Sequence, residues 1–362
     1  MTLSDASILV TGGAGFIGSR LCAALAAEGA RVTAFDNFHP QAHAGNPGAR
    51  ERLDAAGATL VEGDVRDAAA LRAALSDAAP DIVYHLAAET GTGQSFDLPV
   101  RYTDVNVMGT AHLVEAIRAL PKAPARVILA GSRSVYGEGA CVDDLGHPAA
   151  AVERADADMA AGDYAPKDAA GRPLTPVATR ADTCPVAPAS VYASTKLMQE
   201  YLLSQAFWGS DTQVGILRLQ NVYGPGQSLN NPYTGVLSIF VRQIGEGKTL
   251  EIYEDGEIVR DFVLVDDVVE AFATMARAGD MPRRVIDVGA GEGAAIHDVA
   301  RRLLRLMSAD ADRTRVTGAF RPGDIRHAVA DIGPARDLLG WQPRHDLDEG
   351  LSRLVSWSAE LG

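Results

Sequence analysis

The sequence predicts an α/β fold: a doubly wound parallel sheet followed by a smaller mixed α/β domain. Two observations carry this. From Ile8 to Leu219, six short apolar runs alternate with helical patterns, the order that builds parallel sheets. Beyond Asn221 the alternation becomes irregular, and short strands and helices follow without the same period. The length of 362 residues suits one large or two closely joined domains. The division is expected at residues 1–225 and 226–362, with some later segments returning to the first domain. A stretch at about 138–188 reads as an insertion in the first.

Ile8-Leu-Val-Thr11 is a buried strand by its composition. Gly12-Gly-Ala-Gly15-Phe16-Ile17-Gly18 follows, and a helical pattern runs on through Glu28. Strand, glycine turn and helix form the context of a dinucleotide-binding fingerprint of the Rossmann type, here spaced GxxGxxG. Gly12 permits the tight turn, Gly15 lets the backbone approach a pyrophosphate, and Gly18 lets the helix pack on its strand. The helix N-terminus offers unpaired N–H groups to phosphate. A second strand, Arg31 to Phe35, ends in Asp36-Asn37. A carboxylate at Asp36 can take ribose hydroxyls and repel a 2′-phosphate, so NAD is expected rather than NADP.

Ala58–Glu62 is the third strand, followed by Gly63-Asp64-Val65. Asp64 is placed to meet an adenine amino group, or to cap the helical run from Asp67 to Ala78. The fourth strand, Asp81 to Ala88, ends in Leu86-Ala87-Ala88, small enough to let a cofactor pass. His85 within it reads as a packed core histidine. Gly91 to Ser95 is loop-like and lies beyond a strand's carboxyl end, where open α/β sheets bind ligands. A long helix from about Pro99 to Ala119 carries Asn106 at mid-length, which is unfavourable unless the side chain has a task. Arg126 to Ala130 is the fifth strand and leads into Gly131-Ser132-Arg133-Ser134.

The segment from Glu138 to Pro188 lacks periodicity and reads as an insertion of unknown order, a candidate lid. It precedes Ser190-Val-Tyr192-Ala-Ser-Thr-Lys196, a helix start in a pattern reaching about Trp208. Tyr192 and Lys196 are four residues apart and share one helix face. A free tyrosine, with a pKa of about 10, is a poor base near neutrality. A nearby ammonium stabilises the phenolate. Lowering the pKa by roughly 3 units takes about 4 kcal/mol, so Lys196 needs help from a cofactor charge or dipole. The pair then becomes a proton acceptor and donor near pH 7. An ordinary amphipathic helix with one lysine is the plain alternative.

The sixth strand, Gln213 to Leu219, ends in Gln220-Asn221-Val-Tyr223-Gly-Pro-Gly226. Asn230-Asn231-Pro232 opens a helix to Glu246, with Pro232 in its first turn. Leu250–Tyr253 and Asp261–Leu264 are short strands. Helices at Asp266–Arg277 and His297–Leu306 flank a strand at Arg284–Val288. Arg321-Pro-Gly-Asp324 is a loop, and Arg321 is a candidate anion ligand or a solvated surface arginine.

Composition narrows the function further. The net charge of −14 and the absence of a basic block exclude nucleic acid as an expected partner. No run of about 18 apolar residues occurs, so no membrane span is expected. No basic segment leads into a long apolar run at the N-terminus, so no signal peptide is expected. Three widely spaced cysteines, Cys22, Cys141 and Cys184, fit neither a disulfide framework nor a metal site, and point to a reducing cytoplasm.

The ordered set TGGAGFIGS, Asp36-Asn37, Asp64-Val65, HLAA, NVMGT, SRSVYG, YASTK, RLQNVYGP, IVRDFVLVDDV and RPGD spans nearly the whole chain. It resembles the extended short-chain dehydrogenase/reductases that act on nucleotide sugars. The resemblance implies NAD held by the N-terminal sheet and a nucleoside diphosphate held by the C-terminal domain. It implies Tyr192 as base, Lys196 on the nicotinamide ribose, Ser132 on a sugar hydroxyl and Asn106 near the cofactor. It implies substrate contacts from Ser95, Ser134, Asn221, Asn231, Arg260, Arg321 and Asp324, and a homodimer joined by two helices of each subunit. Dehydratases of the family carry Asp-Glu after the catalytic Ser/Thr, and decarboxylases a Glu at the second of those positions. This chain has Arg133-Ser134, which leaves 4-epimerisation of a dTDP- or UDP-hexose as the expected reaction. Gly131 and Gln220 also depart from the family's usual Ser and aromatic residue. The rivals are a sugar dehydrogenase/reductase or 4,6-dehydratase of the same family, and a non-catalytic NAD-binding regulator.

Overall fold

A computed structural model describes residues 2–43, 48–229, 235–282, 284–321 and 323–360. Seven strands form one parallel sheet. They are β1 (Ser7–Thr11), β2 (Arg31–Asp36), β3 (Thr59–Glu62), β4 (Ile82–His85), β5 (Arg126–Ser132), β6 (Gln213–Leu219) and β7 (Val285–Val288). Their spatial order is β7-β6-β5-β4-β1-β2-β3. The order reverses between β1 and β4, and such a switch point is where open sheets bind ligands. Thr11 pairs with Phe35 on one side and with His85 on the other, so three carboxyl ends lie level there.

Both faces of the sheet are covered, which is why its central strands are continuous apolar runs. On one face Gly18–Ala27 packs with Val265–Arg277 around Leu21, Leu25 and Phe272. On the other, Ala68–Ala78, Gly109–Arg118 and Val191–Ala206 enclose Leu71, Leu113 and Leu203. A third core joins Tyr223, Phe240, Phe262, Leu303 and Leu351 beneath the C-terminal helices Val236–Gly245, Ile296–Leu306 and Leu347–Glu360.

Several expectations change. Gly91–Ser95 is not a loop: Thr92–Asp97 is a short helix, concealed in the sequence by Gly91 at its cap and Gly93 within it. The helix expected from Pro99 to Ala119 runs as Pro99–Tyr102 and Gly109–Arg118, with a π-helical stretch at Thr103–Met108 between them. The cap of Ala68–Ala78 is Asp67, which accepts from the N–H groups of Ala69 and Ala70, and not Asp64. The start of the helix expected at Asn230 lies outside the described residues.

The insertion is ordered. Cys141–Val142 pairs antiparallel with Pro148–Ala149 and with Thr175–Pro176, and Asp156–Ala160 is helical. Strands of two residues leave no period to read. Its anchor is Arg154, which is buried with Glu138 at 2.8 Å and Glu254 at 2.9 Å. Arg154 also donates to the Asp324 carbonyl at 2.9 Å, tying the insertion to the C-terminal loop.

Candidate active site

A cleft of about 550 Å³ opens at the carboxyl ends of the strands beside the switch point. Its floor is the glycine turn. Gly12 has φ +70°, and a Cβ there would lie 2.7 Å from the Ala87 nitrogen. A Cβ on Gly18 would lie 2.0 Å from the Gly12 carbonyl oxygen, and one on Gly15 at 3.1 Å from the same atom. Only glycines let the helix sit this close to the strand. The helix Gly18–Ala27 has no side-chain cap, and although the Ser19 and Leu21 N–H groups bond the Gly15 and Ile17 carbonyls, no side chain closes its N-terminus to an anion. Phe16 and Ile17 line the cleft beside it, as do Val65, Leu86, Ala87 and Ala88.

Asp36 ends β2 at the edge of this floor. One carboxylate oxygen accepts the Ala14 N–H at 3.0 Å; the other accepts the Phe38 N–H at 2.9 Å and faces His43 Nε2 at 3.2 Å. Asn37 also lines the cleft and donates to Asp64 at 2.8 Å. Asp64 itself is beyond the lining. Its hydrogen bonds with the Arg66 guanidinium hold it well below the usual carboxylate range, despite partial burial.

Ser132 is the last residue of β5, and its hydroxyl lies 2.9 Å from that of Ser134. Tyr192 and Lys196 lie in the helix Val191–Ala206, whose cap Ser190 accepts the Ala193 N–H at 3.1 Å. All four line the cleft, and the Tyr192 ring stands edge-on to Tyr102. Burial raises the Tyr192 phenol, and the Ser132 hydroxyl pulls it down. The expected lowering by Lys196 is absent: the lysine directs its ammonium to Gln199 Oε1 at 2.5 Å. Burial brings Lys196 down to about 8, opposed by Glu200.

The substrate side is divided. Ser134, Asn221, Arg260 and Asp324 line the cleft. Arg260 and Asp324 form an ion pair at 2.7 Å, where the resemblance implied separate contacts to phosphate and ribose. Ser95 is buried away from the cleft and donates to the Thr92 carbonyl at 2.6 Å. Arg321 is exposed, with its guanidinium 4.9 Å from the Tyr253 ring centre. Asn231 lies outside the described residues. Asn106 is fully buried; it accepts the Glu89 N–H at 2.8 Å and donates to Thr195 at 2.9 Å. It secures the chain after β4 to the Tyr192 helix instead of entering the cleft.

Sequence reasoning missed Arg133 and Gln220 as site residues. Both line the cleft and are buried, and each has two side-chain polar atoms without a hydrogen-bond partner. Their departure from the family pattern was the available signal.

A family model described as the NAD-dependent epimerase/dehydratase family matches residues 8–156 and 160–289. The chain belongs to the NAD-dependent epimerase/dehydratase family. It is 44% identical to a dTDP-L-rhamnose 4-epimerase of Burkholderia thailandensis, over 98% of this chain and 95% of that one. It is 32% identical to a UDP-glucose 4-epimerase of Mycolicibacterium smegmatis, over 96% and 97% of the two chains. The solved UDP-glucose 4-epimerase of Thermotoga maritima, with UDP-glucose, superposes with a TM-score of 0.79 at 28% identity, covering 98% of each chain. The Bacillus cereus UDP-glucuronic acid 4-epimerase, in complex with UDP-glucuronic acid and NAD, gives 0.78 at 27%, covering 98% and 99%.

The residues present fit the family's NAD. A turn with no room for a side chain adjoins a helix N-terminus free of acidic residues, the geometry a pyrophosphate needs. A buried carboxylate ends the second strand, 18 residues beyond Gly18, as a ribose requires. Among the described residues no group of three or more His, Cys, Asp or Glu could hold a metal ion, and no helix is long and apolar enough to cross a membrane.

Proposed function

We propose that this chain is a nucleotide-sugar 4-epimerase acting on a dTDP- or UDP-hexose with bound NAD. One observation carries the reading: Ser132 and Tyr192 meet in the glycine-floored cleft, and the two residues after Ser132 are Arg133 and Ser134. Elimination or decarboxylation needs a further acid or base there. Glu89, which also lines the cleft, is tied to Arg101 at 2.7 Å. The relative named dTDP-L-rhamnose 4-epimerase supports the same reading.

The glycine turn, Asp36, Val65 and Ala87 hold the cofactor, with Lys196 toward its nicotinamide ribose. Bound NAD supplies reversible hydride acceptance at the sugar C4. Tyr192 takes the proton of the C4 hydroxyl as that carbon is oxidised. Ser132 donates a hydrogen bond to O4, where negative charge develops, and a donor already in place needs no reorganisation. The Ser132 hydroxyl favours the phenolate that burial disfavours. The 4-keto sugar turns within the cleft so that its opposite face would take the hydride back at C4, and Tyr192 returns the proton to O4. Asn221, Arg260 and Asp324 hold the nucleoside diphosphate during that turn, which requires the Arg260–Asp324 pair to open or to present its remaining atoms.

Residues 1–225, with later segments returning, serve the cofactor in this scheme, and 226–362 mainly serve the nucleotide. We further propose a homodimer. Val100, Met108, Met198 and Tyr201 are between 44% and 80% exposed on helices that pack side by side, an apolar stripe left for a second copy. The three buried free cysteines suit a reducing cytoplasm.

Purified protein with no added cofactor should interconvert C4 epimers of a nucleotide sugar. With deuterium at C4, the product should keep the label; loss of label to solvent would replace hydride chemistry by deprotonation beside a carbonyl. Tyr192→Phe should retain the fold and NAD but lose about 10²-fold to 10⁴-fold in kcat and kcat/KM alike, because the proton moves only in the transition state. Full activity in that variant would leave the helix a structural role only.

A further inference from the structure

Beneath the cleft, a buried chain of polar side chains runs from Lys196 through four residues that the scheme above does not use. Lys196, Gln199, Thr110, His85 and Thr11 come from a helix, a second helix and two strands, and none is more than 4% exposed. Lys196 Nζ donates to Gln199 Oε1 at 2.5 Å, and Gln199 Nε2 lies 2.9 Å from Thr110 Oγ1. Thr110 donates its hydroxyl to the Asn106 carbonyl at 2.6 Å. His85 Nε2 is 2.8 Å from Thr110 Oγ1, and His85 Nδ1 is 2.7 Å from Thr11 Oγ1. Thr11 Oγ1 also accepts the Ala87 N–H at 3.3 Å.

These contacts fix the direction of the Gln199 amide. The Thr110 proton is committed to Asn106, so its oxygen must accept, and Gln199 must face it with N–H. Thr11 accepts from Ala87 and lies against His85 Nδ1, while His85 Nε2, 2.8 Å from Thr110 Oγ1 and 3.2 Å from Gln199 Nε2, donates to Thr110 in one tautomer and accepts from Gln199 in the other. The amide oxygen of Gln199 is therefore forced toward Lys196. A flipped amide would set two donors, its own NH₂ and the ammonium, against each other.

We infer that Gln199 is the positioning residue for Lys196, holding the ammonium in place and charged through an amide oxygen aimed by Thr110 and His85. The inference rests on Lys196 acting as the proposed function assigns. Gln199 does not line the cleft, so it acts only through the lysine. The titratable groups facing Lys196 are Tyr192 and Glu200 on its own helix and His85 from β4, with Glu200 engaged by Arg218 from β6 at 2.7 Å. Burial and Lys196 together push His85 down to about 3, so it stays neutral and sets no second positive charge beside the ammonium.

The test uses the chain's four lysines. In protein labelled at lysine Cε, one NMR signal, absent in Lys196→Met, should titrate near 8. Gln199→Leu should move it about one pH unit lower, since a charged donor loses its acceptor. Gln199→Glu should move it higher, because a carboxylate favours the ammonium. Thr110→Val, which touches neither Lys196 nor the cleft, should give a smaller downward shift by releasing the amide. In turnover, Gln199→Leu should move the alkaline limb of kcat to lower pH, with kcat roughly fivefold lower at pH 8 and KM unchanged. An unmoved signal in Gln199→Leu overturns the inference, as do shifts of the same sign in the Leu and Glu variants. The titration is read without substrate, so an inactive wild-type protein would count against the proposed reaction and leave this result standing. If Gln199→Leu does not fold, Thr110→Val and Gln199→Glu still decide the sign.

Discussion

Asp36 shows how one side chain serves two tasks. Its carboxylate accepts the Ala14 and Phe38 N–H groups, which fix the glycine turn against the end of β2. In the proposed cofactor site, the same charge would repel a 2′-phosphate on the adenosine ribose. Asp36→Ala should narrow the preference for NAD over NADP by about tenfold or more, the scale of one close like-charge contact in partly screened surroundings. Titrating both dinucleotides against both proteins measures this, and equal wild-type affinities would sink the assignment. The Cβ positions closed at Gly12 and Gly18, with a tight one at Gly15, make the turn itself legible from sequence, because side chains are excluded at its two ends. Arg260 and Asp324 were legible as residues of the site but not as a pair, since the contact spans 64 positions of chain.

At the scale of elements, the insertion is the clearest case. Its order comes from Arg154, whose guanidinium joins Glu138 within the insertion to Glu254 and Asp324 beyond it. Arg154→Met would leave two carboxylates buried, one of them with only Arg326 remaining. Removing one partner of such a cluster costs about 3–5 kcal/mol, and chemical denaturation should show a loss of that size. A change below about 1 kcal/mol would mean that the insertion is anchored elsewhere. The helix around Asn106 behaves similarly. A π-helical turn there places its amide on Glu89 and Thr195, and an asparagine in mid-helix signalled the task without naming the partners.

For the whole molecule, Asp261 links the C-terminal strands to the main sheet. Its carboxyl accepts the N–H groups of Ala290, Gly291 and Ala330. Burial raises it to about 6, against the pull of those three donors. A carboxyl raised on folding binds its proton more tightly when folded, so its contribution is fully present below about 4 and is lost as pH rises through about 6. The Tm advantage of wild type over Asp261→Asn should therefore shrink from pH 4 to pH 7; a constant or widening gap would contradict this. Assembly is decided at the same scale. Val105 and Leu113, on the helix expected from Pro99 to Ala119, are buried against the sheet, and the stripe left open is Val100, Met108, Met198 and Tyr201. Light scattering at micromolar concentration should give a dimer, and Met198→Glu with Tyr201→Glu should give a monomer.

The sequence by itself determined the parallel α/β sheet, the glycine turn, the carboxylate at the end of β2 and the shared helix face of Tyr192 and Lys196. Each of these rests on local geometry: alternation of short runs, a turn that excludes Cβ, or a spacing of four on one helix. Tertiary structure alone decided that β7 joins the sheet after the irregular segment and that the insertion is ordered. It alone turned Lys196 toward Gln199, paired Arg260 with Asp324 and placed Ser95 and Arg321 outside the cleft. Those outcomes depend on burial and on partners tens to hundreds of residues away, where no period or spacing in the chain carries the contact.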